Sequence, residues 1–224
     1  SLAAHVNGVA VCYLAEAAKK VDATLVHIST DYVFDGEKTS PYVEEDQTNP
    51  QSVYGQSKLL GEQALLSSGL EKFFVVRTSW LYGPGGNNFV ETIIRLSKER
   101  SELGIVADQI GSPTYTGDLA AAVFALMEES SSPHSQVSSP YGIYHFSNQG
   151  QCSWYEFSKK IVSLAREHGE LLQIEKINPI KTEDYPLPAK RPKYSVFSKG
   201  KYLKTTWHPR TEWEESLAKY FAER

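Results

Sequence analysis

The chain has 224 residues, 41% of them hydrophobic and 22% charged, and its formal net charge is −4. This length and composition suit a globular protein with a substantial core, and the interspersed charges offer no basic surface for nucleic acid. No apolar run reaches the roughly 20 residues that a membrane helix needs, so we expect no membrane partner. Cys12 and Cys152 lie far apart in different contexts, which predicts two reduced, buried thiols in a cytoplasmic protein. A monomer and a homodimer both remain open.

Helical and strand-like patterns alternate along the first 80 residues. The helices have apolar side chains at helical spacing, and the strands are short apolar runs typical of parallel strands buried on both faces. In chain order we predict a helix over residues 2–20, a strand over 25–28, an irregular segment over 31–50, a helix over 51–68 and a strand over 73–76. We expect the acidic residues of the irregular segment to be solvated; they are Glu44, Glu45 and Asp46.

After residue 80 the strands become shorter and the loops longer and more polar. We predict a helix over residues 89–100, a strand over 104–106, a loop over 108–118, a helix over 119–128, a mobile surface loop over 129–141, a strand over 142–146, a helix over 153–168, a strand over 172–177, a Pro-rich loop to residue 193 and a helix over 211–223. Ser153 and Glu156 fit a capping box at the start of the helix over 153–168. The alternation of elements predicts an α/β fold with a doubly wound parallel sheet and a smaller C-terminal lobe.

The spacing Tyr-x-x-x-Lys occurs twice, at Tyr54/Lys58 and at Tyr155/Lys159. Because about one such spacing is expected by chance in a chain with this many tyrosines and lysines, the spacing alone means little. Either pair would lie on one face of a helix. Tyr155 lies in an apolar pattern that predicts the core face of its helix. Tyr54 is flanked by two glycines and a serine, which let a helix approach another backbone or a ligand closely.

The context of Tyr54 predicts a proton-transfer site. The strand that precedes its helix ends in Ser29, Thr30 and Asp31, and in open α/β sheets such strand ends meet the ligand. Interconversion of an alcohol and a ketone by hydride transfer needs a proton donor or acceptor at the oxygen. The Tyr54 phenol can fill that role if the ammonium of Lys58 lowers its pKa, and a hydroxyl at the strand end can hold the carbonyl oxygen.

Blocks along nearly the whole chain resemble the dTDP-4-dehydrorhamnose reductases, a subgroup of the extended short-chain dehydrogenase/reductases. In order, these blocks are STDYVFDG, PYVEEDQTNPQSVYGQSKLLGE, RTSWLYGPGGNNF, DQIGSPTYTGDLA, YHFSNQGQCSWYEF and RPKYSVF. The resemblance implies NAD(P)H-dependent reduction of the 4-keto group of dTDP-4-dehydro-6-deoxy-L-mannose to dTDP-L-rhamnose, the last step of dTDP-rhamnose biosynthesis. It also implies that residues 1–80 are the later part of a Rossmann-like dinucleotide-binding domain, and that residues 81–224 form mainly a substrate-binding lobe, some elements of which return to the sheet.

The same resemblance assigns roles to individual residues. The implied catalytic residues are Thr30, Tyr54 and Lys58. The implied cofactor-binding residues are Ser29, Tyr54, Lys58, Thr78 and Ser79. The implied substrate-binding residues are Thr30, Asp31, Tyr32, Trp80, Asn88, Gln109, Ser112 and Arg191. Trp80 could instead be a core aromatic residue, and Arg191 a surface cation; as a ligand, Arg191 would suit a diphosphate through its forked donors.

Two features of the family are not found in this sequence. The helical pattern begins at Ser1 with neither a loop nor a signal peptide before it, which indicates a chain entered midway. The N-terminal βαβ units with the glycine-rich pyrophosphate fingerprint are therefore expected upstream. A divalent cation such as Mg²⁺ is described for some members, but no metal-ligand spacing places one here.

Two other functions remain open from the sequence. One is a different nucleotide-sugar enzyme of the same extended family, an epimerase or a dehydratase. The other is a non-catalytic regulatory protein on the same fold, resembling the beta subunit of methionine adenosyltransferase. The blocks RTSWLYG and GSPTY favour the reductase over its sibling enzymes, and the intact Thr30, Tyr54, Lys58 and Trp80 favour catalysis over a regulatory role.

Overall fold

The chain folds as two units, each assembled from separate segments of the sequence. The computed structural model describes residues 2–133, 138–185, 189, 191–208 and 211–224. Unit 1 comprises Ser1–Thr78, Ala121–Phe146 and Ala189–Pro209, and unit 2 comprises Ser79–Ala120, Ser147–Pro188 and Arg210–Arg224.

The described elements alternate as the sequence predicts. The helices are α1 (Leu2–Ala4), α2 (Ala10–Lys20), α3 (Val53–Ser67), α4 (Phe89–Glu99), α5 (Thr116–Ser131), α6 (Trp154–Glu167), α7 (Gly200–Thr206) and α8 (Trp213–Glu223). The strands are β1 (Leu25–Thr30), β2 (Phe73–Thr78), β3 (Leu81–Tyr82), β4 (Glu102–Val106), β5 (Ile110–Gly111), β6 (Thr114–Tyr115), β7 (Gly142–His145), β8 (Cys152–Ser153) and β9 (Lys176–Ile180). A π-helical turn (His5–Val9) joins α1 to α2, and 3-10 turns cover Asp31–Val33 and Thr182–Asp184.

Unit 1 contains a parallel sheet in the strand order β1-β2-β7. The segment β1-α3-β2 is a βαβ unit, and its register places Thr30 opposite Thr78 at the ends of the two strands. Helices α2 and α3 bury Val11, Ala15 and Leu65 in one apolar cluster with β2. The carboxyl ends of β1 and β2 therefore lie side by side, which is where sheets of this kind present ligand-binding groups.

One prediction for this sheet was wrong. The strand over residues 25–28 was expected to be buried on both faces, but Ile28 in β1 is 37% exposed. Among the described residues β1 pairs on one side only, with β2.

Unit 2 contains three short two-stranded pairs around an aromatic core. Strands β3 and β6 are parallel, β4 and β9 are parallel, and β5 and β8 are antiparallel. The core is formed largely by α4, α6 and α8, whose buried members include Ile93, Phe157, Ile161, Leu217 and Tyr220. The capping box of α6 is present as predicted, with Ser153 and Glu156 each bonded to the backbone of the other.

The α/β fold class with parallel sheets is confirmed, and several element boundaries differ from the prediction. Strand β4 begins at Glu102, two residues earlier than expected, and α5 covers Thr116–Ser131 rather than residues 119–128. Residues 129–131 are thus helical, and residues 134–137 of the predicted mobile loop lie outside the described residues. Residues 186–188 and 190 of the predicted Pro-rich loop also lie outside them.

Two further differences have clear physical causes. The predicted strand over residues 172–177 forms instead at Lys176–Ile180, because the amides of Gln173 and Ile174 bond the carbonyl of Ser97 before the chain reaches β4. Helix α7 was not predicted at all. It has only seven residues and no side-chain cap, and it buries Tyr202 and Thr205 through tertiary packing.

The cysteines and the helix lengths can be compared with the predictions of buried thiols and of no membrane helix. Cys152 is buried as predicted, whereas Cys12 is only half-buried, and both are free thiols. Within the described parts of the chain, every helix is too short or too polar to cross a lipid bilayer.

Candidate active site

The carboxyl end of β1 brings together the hydroxyl, phenol and carboxyl groups that the sequence singled out. Thr30 is buried, and its Oγ1 donates a hydrogen bond to Asp31 Oδ1 over 3.0 Å and accepts one from the Tyr32 amide over 3.3 Å. The Tyr54 phenol interacts with the same hydroxyl. The rings of Tyr32 and Tyr54 meet edge to face with 5.7 Å between centroids. Three neighbouring residues, Asp31, Tyr32 and Tyr54, thus interact with one hydroxyl group.

Small residues allow α3 to deliver Tyr54 to this place. Ser52 caps the helix by accepting a hydrogen bond from the Gly55 amide over 3.1 Å. A Cβ atom at Gly55 would lie 2.1 Å from the carbonyl oxygen of Tyr32, and one at Gly61 would lie 2.1 Å from the carbonyl oxygen of Asn7. Both glycines are therefore needed for close approach to the chain's own backbone, at the turn after β1 and at the π-helical turn.

Burial dominates the electrostatics of this cluster. The pKa of the Asp31 carboxyl rises to about 6, because burial outweighs the opposing hydrogen bonds from Thr30 and Ser195. The pKa of the Tyr54 phenol is raised by burial of its hydroxyl end, although 49% of the residue is exposed, and the contact with Thr30 opposes the rise. The sequence predicted instead that Lys58 lowers the pKa of Tyr54. In this structure the desolvation of the phenol prevails, so the phenol is held protonated at neutral pH.

Lys58 lies one turn further along α3 and is half-buried. Burial lowers the pKa of its ammonium, while the carboxylate of Glu62 opposes that change. His27 on β1 lies in the same region, and burial together with the charge of Lys58 lowers the pKa of His27 to about 4. Its imidazole is therefore neutral, and its Nε2 atom is buried with no hydrogen-bond partner among the described residues.

A buried ion pair behind Lys58 was not found by sequence reasoning. Glu62 on α3 and Arg77 on β2 are 1% and 3% exposed, and Arg77 Nη2 lies 2.7 Å from Glu62 Oε2. The hydroxyl of Ser29, next to Thr30, also donates to Glu62. The only signal in the sequence was that Glu62 follows Lys58 by four residues. This spacing is equally typical of an ion pair on an exposed helix face, so it did not predict a buried carboxylate.

Arg77 of this ion pair also donates to the backbone carbonyl of Glu44, in the segment that was predicted to be a solvated acidic loop. Glu44 is in fact buried, and its carboxylate accepts the His145 amide over 2.9 Å. Burial and the charge of Arg77 lower the pKa of His145 to about 3. The neutral His145 donates from Nδ1 to the Tyr42 carbonyl and accepts from Arg77 at Nε2. The backbone amide of His145 supplies the partner that draws Glu44 inward, so the prediction for Glu44 was wrong.

The other unit 1 candidates lie close to this cluster. Thr78 ends β2 opposite Thr30, and its buried Oγ1 has no partner among the described residues. Arg191 lies close enough to Tyr32 to lower its pKa, against the larger effect of burial, which raises it. Unit 1 therefore holds eight of the predicted residues: Ser29, Thr30, Asp31, Tyr32, Tyr54, Lys58, Thr78 and Arg191.

The remaining candidates belong to unit 2, and internal contacts engage them all. The Ser79 hydroxyl donates to the Ser112 carbonyl over 2.9 Å, and the Ser112 hydroxyl donates to the Gly150 carbonyl over 2.6 Å. Gln109 donates to the Thr182 hydroxyl over 3.0 Å. Asn88 caps α4 by accepting the Glu91 amide and also donates to the Gly83 carbonyl. These bonds are structural, so ligand-binding roles for these residues stay predictions.

Trp80 is partly buried and packs against the aromatic core of unit 2. Its ring stacks on Trp154 with 3.4 Å between centroids and 7° between planes. Its backbone has φ of +49°, in the left-handed region, which a bulky residue adopts only where surrounding structure holds it. A Cβ atom at Gly111 would lie 2.5 Å from the indole, so the glycine makes room for this stack.

The second Tyr-x-x-x-Lys pair differs from the first. Phe157, Ile161 and Leu164 of α6 do lie in the core as predicted, but Tyr155 does not. It is half-buried on a surface groove with the ammonium of Lys159 5.4 Å from its ring centroid. The prediction that Tyr155 faces the core was therefore wrong.

No metal centre is evident in the described parts of the chain. No group of three His, Cys, Asp or Glu side chains there could hold an ion. The divalent cation that the resemblance raised is therefore not placed on any residue.

A parallel sheet with a βαβ unit, carrying a Thr, a Tyr and a Lys where the first strand ends, defines a Rossmann-like fold of the short-chain dehydrogenase/reductase class. The model of one protein family, described as the RmlD substrate binding domain, matches residues 1–224. The chain belongs to this family.

Named relatives agree with this membership. The chain is 43% identical over 219 residues to the spore coat polysaccharide biosynthesis protein SpsK of Bacillus subtilis, covering 98% of this chain and 71% of that protein. It is 42% identical over 217 residues to a dTDP-4-dehydrorhamnose reductase of Aggregatibacter actinomycetemcomitans, covering 97% and 72% respectively. A crystal structure of dTDP-4-dehydrorhamnose reductase from Bacillus anthracis in complex with NADP superimposes with a TM-score of 0.87 at 44% identity, covering 97% of this chain and 72% of that one.

Proposed function

We propose that this chain carries the proton-transfer site and the sugar-binding part of a dTDP-4-dehydrorhamnose reductase. Such an enzyme uses NAD(P)H to reduce the 4-keto group of dTDP-4-dehydro-6-deoxy-L-mannose to dTDP-L-rhamnose. The observation that carries the proposal is the contact of the Tyr54 phenol with the Thr30 hydroxyl at the end of β1, with Lys58 one turn along α3. The relatives named as this reductase support the choice of reaction.

The side chains of unit 1 supply the proton chemistry of this reaction. When the sugar binds, the Thr30 hydroxyl turns its proton from Asp31 to the keto oxygen and orients that oxygen. The Tyr54 phenol donates a proton to the same oxygen as the alcohol forms. Because burial raises the pKa of Tyr54, the phenol carries its proton at neutral pH, as a donor must. The ammonium of Lys58 stabilises the phenolate that remains after the transfer.

When bound, a reduced nicotinamide cofactor would supply the hydride for C4. The groups present in unit 1 fit such a cofactor, because Thr78 offers a buried hydroxyl without a partner among the described residues and Lys58 offers a half-buried ammonium. We assign the nicotinamide ribose to Lys58 and Tyr54, and the nicotinamide border to Ser29, Thr78 and Ser79. The NADP complex of the Bacillus anthracis relative supports an NADP-type dinucleotide.

In unit 1, we assign the dTDP-sugar to Thr30, Asp31, Tyr32 and Arg191. Asp31 and Tyr32 adjoin the proton donor, and Arg191 lies near Tyr32 with forked donors that suit a diphosphate. For Trp80, Asn88, Gln109 and Ser112 of unit 2, substrate binding stays what the family resemblance implies.

The reaction is tested with the full-length protein that contains this chain, NADPH or NADH, and enzymatically prepared dTDP-4-keto sugar. We expect oxidation of one reduced cofactor for each dTDP-L-rhamnose formed, with the product identified by mass spectrometry and chromatography. An epimerase or a dehydratase would convert the sugar without net cofactor oxidation, and a regulatory protein would convert nothing. Either result would overturn the proposal.

A further inference from the structure

Glu62 is a buried, fully hydrogen-bonded carboxylate beside the proposed site, and the proposed mechanism does not use it. Its carboxylate accepts two hydrogen bonds from the Arg77 guanidinium, from Nε to Oε1 over 3.0 Å and from Nη2 to Oε2 over 2.7 Å. The Ser29 hydroxyl donates to Oε1 as well. Replacing a buried ion pair by apolar groups is often neutral for stability. The fold alone therefore does not require charges at these two positions.

The position of the pair links the three elements that build the site. Glu62 belongs to α3, which carries Tyr54 and Lys58, and Ser29 and Arg77 lie opposite each other in the register of β1 and β2. The ion pair therefore holds the helix against both strands one residue before Thr30 and Thr78. Arg77 is itself fixed on its far side by the Glu44 carbonyl and by His145 Nε2, each at 3.3 Å from Nη1.

Glu62 also lies one helical turn from Lys58, on the same face of α3. Two effects act on the pKa of Lys58: burial lowers it, and the negative charge of Glu62 raises it. The charge of Glu62 thus opposes the desolvation of the ammonium.

Other titratable groups face α3 from the elements packed against it. They are His27 on β1, Asp31 and Tyr32 on the 3-10 turn, and Lys19 of α2 at the far end of the helix, where it binds the Ser68 carbonyl. His27 is neutral at working pH, since its pKa is about 4. Glu62 is thus the carboxylate whose charge acts on Lys58 in this structure.

We propose that Glu62 is a positioning residue for the proton-transfer site: bonded to Arg77 and Ser29, it holds α3 at the strand ends, and it places a negative charge one helical turn from Lys58. The role in turnover rests on the proposed reductase function, whereas the effect on Lys58 can be measured without turnover. Glu62 affects proton transfer through Lys58 and is assigned no contact with substrate or cofactor.

The direct test follows the titration of Lys58 by NMR in full-length protein labelled with ¹³C at lysine Cε, with the signal assigned from a Lys58→Arg variant. Glu62→Gln should move the Lys58 titration to lower pH by about one unit, as expected for removing a unit charge one helical turn away at an effective dielectric constant of about 40. Glu62→Asp keeps the charge and should leave the titration within about 0.3 units of wild type. An unchanged titration in Glu62→Gln would overturn the proposal.

Turnover supplies the second readout. The alkaline limb of kcat/KM should move to lower pH in Glu62→Gln by the same interval and stay in place in Glu62→Asp. The matched control is Leu65→Ala, which truncates a fully buried side chain of α3 and should lower stability without moving the limb. A limb that moves equally in Leu65→Ala would mean that loosening of the helix, not charge, is responsible, and would overturn the proposal.

A third variant covers the case in which Glu62→Gln does not fold because Arg77 is left unpaired. The double variant Glu62→Leu/Arg77→Met removes both charges at similar volume, a change that buried pairs commonly tolerate. It should lower the Lys58 titration by less than Glu62→Gln does, because loss of the Arg77 charge partly offsets loss of the Glu62 charge. A titration at or above the wild-type pH would count against the proposal. If wild-type protein shows no turnover, the reductase proposal fails while the Lys58 titration still decides the role of Glu62.

Discussion

Asp31 provides a quantitative test of the buried cluster at the end of β1. Its side chain is 3% exposed, and burial raises its pKa from 3.8 to about 6. The folded state therefore binds this proton more tightly than the unfolded state does. Stability is highest with the carboxyl protonated and falls as the pH rises from about 4 to about 6, by about 3 kcal/mol in all.

The perturbation is Asp31→Asn, which keeps the shape of the side chain and removes the titration. The unfolding free energy of the variant minus that of wild type should rise by about 3 kcal/mol as the pH goes from 4 to 7. Urea unfolding followed by circular dichroism at a series of pH values measures this difference. Titrating histidines that both proteins share, such as His27 and His145, cancel in the comparison.

The control is Asp35→Asn. The Asp35 carboxylate accepts the Glu37 amide, the Tyr42 hydroxyl and an Asn49 amide hydrogen, which lower its pKa. Its contribution to stability is lost only below about pH 4, so this variant should show a flat difference from wild type between pH 4 and pH 7. A flat difference for Asp31→Asn as well would refute the raised pKa of Asp31 and the dry cluster that explains it.

Two further predictions concern packing. Gly55→Ala would place a methyl group 2.1 Å from the Tyr32 carbonyl oxygen, so we expect a loss of about 1–3 kcal/mol in urea unfolding and a lower kcat. Gly86→Ala, which meets nothing within 4 Å, is its control and should change stability by less than about 0.5 kcal/mol; equal losses in the two would contradict the close approach. Trp154→Ala removes the partner of Trp80 and should cost about 3–5 kcal/mol of unfolding free energy, and a loss below about 1 kcal/mol would show that the indole stack does not hold unit 2.

The sequence predicted the backbone framework of the proposed site because that framework depends on local signals. Apolar runs mark β1 and β2, and the helix predicted over residues 51–68 is present as α3. The hydroxyl at Thr30 and the phenol at Tyr54 then meet because a βαβ unit brings strand ends and the following helix to one edge. Local pattern and topology sufficed for this contact.

The charged surroundings of the site were not predictable in the same way. A glutamate four residues after a lysine is typical of a solvated helix face, and only the register of β2 places Arg77 against Glu62. Glu44 turns inward because the His145 amide, 101 residues away in sequence, needs an acceptor. The direction of the Tyr54 pKa shift likewise depends on burial of the phenol, which spacing alone does not reveal. These features arise from long-range packing.

In the proposed reaction, Tyr54 is the proton donor of an NAD(P)H-dependent dTDP-4-dehydrorhamnose reductase. The most direct measurement compares turnover of the dTDP-4-keto sugar by the full-length wild type and the variants Tyr54→Phe and Tyr155→Phe, the second tyrosine being the internal control with the same spacing to a lysine. We predict that Tyr54→Phe lowers kcat by at least about 10²-fold while Tyr155→Phe stays near wild type. A Tyr54→Phe enzyme as active as Tyr155→Phe, or a wild type that oxidises no cofactor, would contradict the claim.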